Sequence, residues 1–212
     1  YTLQPPQDDY PGNVFNYNSS LSHLLSIILE KSTKISTLEF ADQHLFKPLG
    51  IRQRHWDNDP QGYYTGGFGL SLTARDLAKL GFLYLNNGYW DGQSIVSEQW
   101  VQASTRHRWY AHRVYGPTGY GYQWWVKEVD GFHSYRAWGR RGQFVVVVPK
   151  LDLVVVVTSE TRQPVAPTSV HYSPLFDLVA DAVKRDRPPK KRLKAIELPT
   201  DVKAFLNSFN QA

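Results

Sequence analysis

Residues 143–158 read QFVVVVPKLDLVVVVT, two valine-rich runs separated by Pro149-Lys150-Leu151-Asp152. β-Branched side chains lose rotamer freedom in a helix and fit a pleated surface, so each run reads as a strand: Gln143 to Val148 and Leu153 to Thr158. Two stretches upstream share this character. Tyr122 to Val129 and His133 to Trp138 flank Asp130-Gly131, a turn pair. Short connections join antiparallel neighbours, and the four runs together predict an antiparallel meander.

Further out the apolar period lengthens. Leu21, Leu24, Leu25 and Ile28 fall at i, i+3, i+4 and i+7, the stripe of an amphipathic helix ending near Lys34, with Ser19 or Ser20 as its cap. Pro11-Gly12 marks a turn ahead of it. A second helix starts after Thr37 and stops before Pro48, with Leu49-Gly50 as its exit. Ile51 to Leu72 is polar, aromatic and glycine-rich, an ordered loop. Thr73 caps a third helix from Ala74 to Asn86, closed by Asn87-Gly88, and Ser97 opens a short fourth. Downstream of the meander, Ser173-Pro174 begins a helix that presents Leu178, Val179 and Ala182 to the sheet. Helices, then a meander, then a closing helix make an α+β arrangement.

Composition narrows the function classes. The 212 residues are 42% hydrophobic and 20% charged, globular values for a chain long enough to bury a sizeable core. There is no cysteine, which excludes disulfides, thiolate metal sites and a cysteine nucleophile. Seven Trp and thirteen Tyr suit either groove walls or an aromatic-rich core. No apolar run approaches a membrane span, and no signal peptide is visible. The net charge of +5 is concentrated: Lys184, Arg185, Arg187, Lys190, Lys191, Arg192 and Lys194 stand against Asp186 alone, which leaves the body nearly neutral. A nucleic-acid footprint covers a folded face, so this run reads as a solvated connector and no nucleic-acid partner is expected. The organisation is therefore a body over 1–183, a basic linker over 184–196 and a tail over 197–212.

Generic catalytic and phosphate-binding motifs are absent. Asp57-Asn58-Asp59 with Gly62 begins like a calcium loop, but Phe68 stands where a bidentate Glu is needed, and the histidines lack ligand spacing. Two places could carry chemistry. Tyr17, in Phe15-Asn16-Tyr17-Asn18-Ser19, sits immediately ahead of a helix N-terminus, whose N–H groups and dipole favour an ionised phenol. A tyrosine packed under the helix accounts for the same residues. The second is Ala137-Trp138-Gly139-Arg140-Arg141-Gly142-Gln143, where closely spaced glycines let a backbone or ligand approach and an edge strand could offer N–H groups to an oxyanion. A bulged hairpin is the competing reading there.

Taken in order, these segments resemble the serine β-lactamase-related family, which includes class C β-lactamases, D-alanyl-D-alanine peptidases, esterases and 6-aminohexanoate-dimer hydrolases. The likeness runs from about Pro11 to Val183. It is carried by Tyr17-Asn18-Ser19, Phe46-Lys47-Pro48-Leu49-Gly50-Ile51, Gly66-Gly67, Leu72-Thr73-Ala74-Arg75-Asp76-Leu77-Ala78-Lys79, Tyr84-Leu85-Asn86-Asn87-Gly88, Gly121-Tyr122, Trp124-Trp125, Gly142-Gln143 and Val148-Pro149. The resemblance implies a β-lactamase/transpeptidase-like, penicillin-binding-protein-like fold, incomplete at the N-terminus. It implies a serine hydrolase of amide or ester bonds acting through an acyl-enzyme on a small-molecule or peptide-like substrate, without cofactor or metal.

By the same resemblance Tyr17 is the general base and acid, and Ser19 occupies the position of the family's Asn in Tyr-x-Asn. Ala137-Trp138-Gly139 replaces the Lys/His-Thr/Ser-Gly strand triplet, with Arg140, Arg141, Gly142 and Gln143 completing the substrate strand. Trp56, Asp57 and Tyr64 are further candidates for the pocket wall. Ala137 lacks the family's cation, for which Arg140 or Arg141 could substitute, and Arg141 stands where relatives have glycine. The pattern is nearer the aminohexanoate-hydrolase and esterase branches than the true β-lactamases. No serine in the chain has lysine three residues later, so the Ser-x-x-Lys nucleophile motif is missing and the fragment is expected to be inert. A missing N-terminal half is the expected partner, and the chain alone is expected to expose apolar surface and associate. The alternative function is a non-catalytic binding or scaffold protein. Many family members are exported, which implies a periplasmic or secreted location.

Overall fold

The structure is a computed structural model that describes residues 10, 12–111, 118–160 and 169–185, with the side chains of 169–173 and 185 outside that description. Its helices are α1 (Ser19–Thr33), α2 (Thr37–Ala41), α3 (Ala74–Leu85), α4 (Glu98–Ser104) and α5 (Ser169–Arg185). Three pairs of short strands come first: β1 (Arg54–Trp56) with β2 (Leu70–Leu72), β3 (Tyr89–Trp90) with β4 (Gln93–Ser94), and β5 (Trp109–Tyr110) with β6 (Gly119–Tyr120). The long strands follow: β7 (Trp125–Val129), β8 (Phe132–Gly139), β9 (Gln143–Val148) and β10 (Leu153–Val157). The main sheet runs β10-β9-β8-β7-β6-β5, antiparallel throughout.

The valine runs form one end of this sheet, with β10 at its edge and β9 beside it. Leu153 pairs with Val148 and Val157 with Phe144 across a one-turn 3-10 helix, which Asp152 leaves in the left-handed region at φ 51°. Every residue from Phe144 to Val148 is at most 4% exposed, because both faces of β9 are covered. Phe144, Val146 and Val148 pack against Phe176 and Ala180 of α5. Val145 and Val147 face α3, where a Cβ on Gly81 would come within 2.6 Å of Val154 and 2.9 Å of Val145. Glycine there lets the helix lie directly on the sheet. A second cluster, Phe46, Leu49, Ile51 and Leu83, joins the other side of α3 to the segment before β1.

Local capping follows side-chain chemistry. Thr73 Oγ1 accepts from the Asp76 N–H at 3.1 Å and donates to Asp76 Oδ2 at 2.8 Å, while Lys79 pairs with Asp76 Oδ1 at 2.7 Å and donates to the Gly50 carbonyl at 3.0 Å. α1 is capped by Asn18, not by Ser19 or Ser20: its carboxamide oxygen accepts from the N–H groups of Ser20 and Leu21 at 2.8 and 3.3 Å. Asn18 is extended, at φ −141° and ψ 111°, so the helix starts one residue earlier than a serine cap predicts. The helix ends as expected at Lys34, at φ 66°.

Several expectations are corrected. The strand predicted from Tyr122 begins at Trp125, because Gln123 takes φ 64° and breaks the extension. The second helix starts at Thr37, under a Ser36 cap, and passes into a π-helical turn over Asp42–Phe46. The polar loop from Ile51 contains the β1–β2 pair. α5 begins at Ser169, with Pro174 inside it, and seats Phe176, Ala180 and Val183 on the sheet, while Leu178 is 66% exposed. Its phase is set by the residues that fill the space over β9. Lys184 is in this helix and pairs with Asp130. The rest of the basic run and the tail lie outside the described residues, apart from the Arg185 backbone.

Candidate active site

α1 presents its polar side to the rest of the chain. Ser22 Oγ donates to Gln123 Oε1 at 3.2 Å, which ties the helix to the turn ahead of β7. His23 Nε2 meets Asp59 Oδ2 at 3.0 Å, while its Nδ1 accepts from the Gly66 N–H at 3.3 Å. With Nδ1 accepting, Nε2 carries the proton and donates to Asp59. The imidazole's lone pair is occupied, so this His–Asp pair anchors the loop and is not a general base. Ser26 Oγ lies 2.7 Å from Thr37 Oγ1 and donates to the Tyr64 carbonyl at 2.6 Å. The loop itself touches the first turns of α1: a Cβ on Gly67 would come within 2.6 Å of the Ser19 carbonyl oxygen, and one on Gly66 within 2.4 Å of that of Ser22.

Tyr17 stands just ahead of this anchored helix and is 38% exposed. Its ring lies 5.2 Å from that of Trp125 and edge-on to Tyr120 at 6.0 Å. Trp125 in turn meets Trp138 edge-on at 5.2 Å, so an aromatic wall connects the phenol to the end of β8. Phe15 extends the wall at 4.6 Å from Tyr120.

β8 is not the edge strand that the glycine spacing suggested, since β7 and β9 flank it. Its last residues nevertheless behave as a local edge. Pairing with β7 ends at Trp125↔Arg136, whereas pairing with β9 continues through Ala137↔Val145, Trp138↔Phe144 and Gly139↔Gln143. Among the described residues no strand lies beside the β7-facing backbone of Ala137–Gly139. Arg140 and Arg141 are exposed on the turn that follows, and Arg141 holds φ 65°, a conformation better suited to glycine. Ser159 pins this turn: its hydroxyl donates to the Arg141 carbonyl, and its own carbonyl accepts from Gln143 Nε2. Gly142 is buried beneath it.

The structure therefore brings Tyr17 to the Trp138 end of β8 and places Ser19, the first helical residue, against Gly67. Trp56, Asp57 and Tyr64 have partners elsewhere. Trp56 packs on the Phe46 cluster, donates to the Thr65 carbonyl at 2.8 Å and lies 5.8 Å from the Tyr64 ring. Asp57 is exposed and paired with His55 at 2.9 Å. Trp125, Tyr120 and Gln123 were missed as site residues, although the aromatic density of 120–125 was a usable signal. A polar depression of about 460 Å³ between Tyr89 and Gln102 contains none of the site residues. Chemically, the assembled parts are a phenol, an aromatic wall and a strand end that runs past its pairing with β7.

A Beta-lactamase family model matches residues 1–176. The 6-aminohexanoate-dimer hydrolase of Paenarthrobacter ureafaciens is 28% identical over 165 residues, covering 71% of this chain and 40% of that protein. A Bacillus anthracis structure, proposed to be a 6-aminohexanoate-dimer hydrolase, superposes with a TM-score of 0.72 at 25% identity, covering 85% of this chain and 46% of that one. A Mycobacterium bovis β-lactamase structure shares the fold at 22% identity and a TM-score of 0.64, covering 82% and 65% respectively. The chain thus spans less than half the length of the first two. No helix among the described residues is long and apolar enough to cross a membrane. With the family model matched over most of its length and mixed helices built on an antiparallel sheet, the chain belongs to the Beta-lactamase family.

Proposed function

We propose that the protein carrying this chain is a serine hydrolase of amide or ester bonds that works through an acyl-enzyme, with Tyr17 moving the proton. The observation that carries this reading is Tyr17, 38% exposed just ahead of α1, with its ring on Trp125, which in turn meets Trp138 at the end of β8. A serine hydroxyl attacks the substrate carbonyl and gives its proton to the phenolate. The phenol returns that proton to the departing amine or alcohol, and water then releases the acyl group. Backbone N–H groups at the end of β8 steady the oxyanion, Ser19 hydrogen-bonds the substrate, and Arg140 or Arg141 meets a substrate carboxylate. The aminohexanoate-hydrolase relative supports a linear amide over a β-lactam.

This reading requires an acylable serine and a lysine from outside residues 1–212, so the 212-residue chain by itself is inert. Fluorophosphonate labelling and ester and amide turnover by the full-length protein provide the test. Tyr17→Phe is expected to lower kcat/KM by about 10²–10⁴. No labelling under hydrolysing conditions excludes the acyl-enzyme, and an unimpaired Tyr17→Phe variant removes Tyr17 from the reaction. The second reading is a non-catalytic binding protein, favoured by the changes at Ser19, Ala137 and Arg141. Specific ligand binding without turnover in the full-length protein establishes it instead.

A further inference from the structure

The α5 face of the sheet holds a buried cation that the proposed chemistry does not use. Arg136 of β8 is 2% exposed, between its cross-strand neighbours Val146 and Trp125, with its guanidinium 5.5 Å from the Phe176 ring. Nη2 donates to Ser134 Oγ at 3.2 Å, and Nε has no hydrogen-bond partner. Among the described residues no carboxylate lies within ion-pair distance of this guanidinium. Ser134 spends its own proton on the Lys127 carbonyl.

Lys127, opposite Ser134 on β7, brings a second cation to the same face. Burial, and then the Arg136 charge, pull its ammonium below the ordinary lysine range. Burial likewise pulls the Arg136 guanidinium down to about 10, against a partial counterweight from Asp177. Asp177 is the acid facing both cations, but its Oδ1 accepts from the Asp130 N–H at 2.9 Å, and Asp130 is itself paired with Lys184. Glu128 is on the exposed rim.

Lys127, Glu128, Val129, Arg136, Phe176 and Asp177 line a partly open pocket of about 80 Å³, with Glu128 and Asp177 on its exposed side. One water needs about 10–15 Å³ of such space, so the pocket has room for a few waters or for one small anion in their place. Buried guanidinium groups persist where a planar oxyanion matches their fork of donors, and the apolar walls of Val129 and Phe176 suit a methyl group. We propose that this cavity is an anion site in which Arg136 and Lys127 hold one small monocarboxylate of the size of acetate, between β7–β8 and α5. The site stands independently of the role given to Tyr17.

Calorimetric unfolding of the full-length protein tests it. Sodium acetate is raised at constant ionic strength against sodium morpholinoethanesulfonate, whose anion is too bulky to enter. The unfolding midpoint is expected to climb and saturate, by about 3 °C once acetate exceeds its Kd several-fold. Arg136→Met abolishes the climb and Lys127→Gln reduces it. Superimposable midpoints in the two salts overturn the site, as does a full acetate response in Arg136→Met. If Arg136→Met does not unfold cooperatively, Lys127→Gln decides: a reduced response supports the site and an unchanged one overturns it. A midpoint raised by phosphate but not by acetate overturns the carboxylate class.

Discussion

Two helices with similar sequence signatures are used in opposite ways. α3 lays Gly81 on β9 and β10 and buries Leu83 completely in the Phe46 cluster. α1 has an equally regular apolar stripe, yet Leu21, Leu25 and Ile28 are 50%, 54% and 53% exposed, and the residue it buries is Ser26. Its side-chain hydrogen bonds to distant described residues run through Ser22, His23 and Ser26, all polar. Apolar periodicity reports that a helix has a face to cover, but not which neighbour covers it. Hydrogen bonds to Gln123, Asp59 and Tyr64 hold α1 by its other side, and that attachment positions Tyr17.

The contrast can be broken at the sheet first. Phe144→Ala empties a site 2% exposed between β9 and Phe176, and should cost about 3–5 kcal/mol in urea unfolding. Gly81→Val drives a branched side chain into Val154 and Val145, and should cost about 1–3 kcal/mol by the same measurement. A Gly81→Val protein as stable as the wild type would mean that α3 does not lie directly on the sheet.

A smaller effect, and one that depends on pH, is expected at the start of α3. Burial raises the Asp76 carboxyl, but hydrogen bonds from Lys79 and Thr73 and the nearby positive charges outweigh it, leaving the pKa below the ordinary 3.8. A depressed pKa in the folded state contributes stability above the unfolded value, and that stability is lost as pH falls through the folded one. The advantage of wild type over Asp76→Asn should therefore be complete at neutral pH and shrink below pH 3.8. A pH-independent difference would remove the ionised carboxylate from the account. Smallest of all, Leu25→Ser and Ile28→Ser in the 212-residue chain should each cost under about 0.5 kcal/mol, and together lower its sedimentation-detected association. A loss of about 2 kcal/mol or more would show that the stripe is covered within this chain.

Legibility followed the range of the forces involved. The strand Gln143–Val148, the Thr73 and Ser97 caps and the Lys34 helix end were readable because adjacent residues decide them. The phase of α5 was not readable, because Leu175, Leu178, Val179 and Ala182 compete on equal terms with Phe176, Ala180 and Val183 until the sheet selects one stripe. Tyr17 was legible as a candidate from its place before a helix. Trp138 was legible from its own segment, but the Trp125 ring that joins the two was not, since more than a hundred residues separate it from Tyr17.

By itself the sequence determined the valine strands, the α+β order, the absence of thiol chemistry and the lack of any Ser-x-x-Lys within these residues. Composition and near-neighbour stereochemistry are enough for those. Only the tertiary structure decided that β8 is internal yet outruns β7 over Ala137–Gly139, that α1 turns Leu21, Leu25 and Ile28 outward, and that Arg136 is buried with no carboxylate within ion-pair distance among the described residues. Each of these depends on which distant surfaces meet, and burial is a property of the neighbour as much as of the residue.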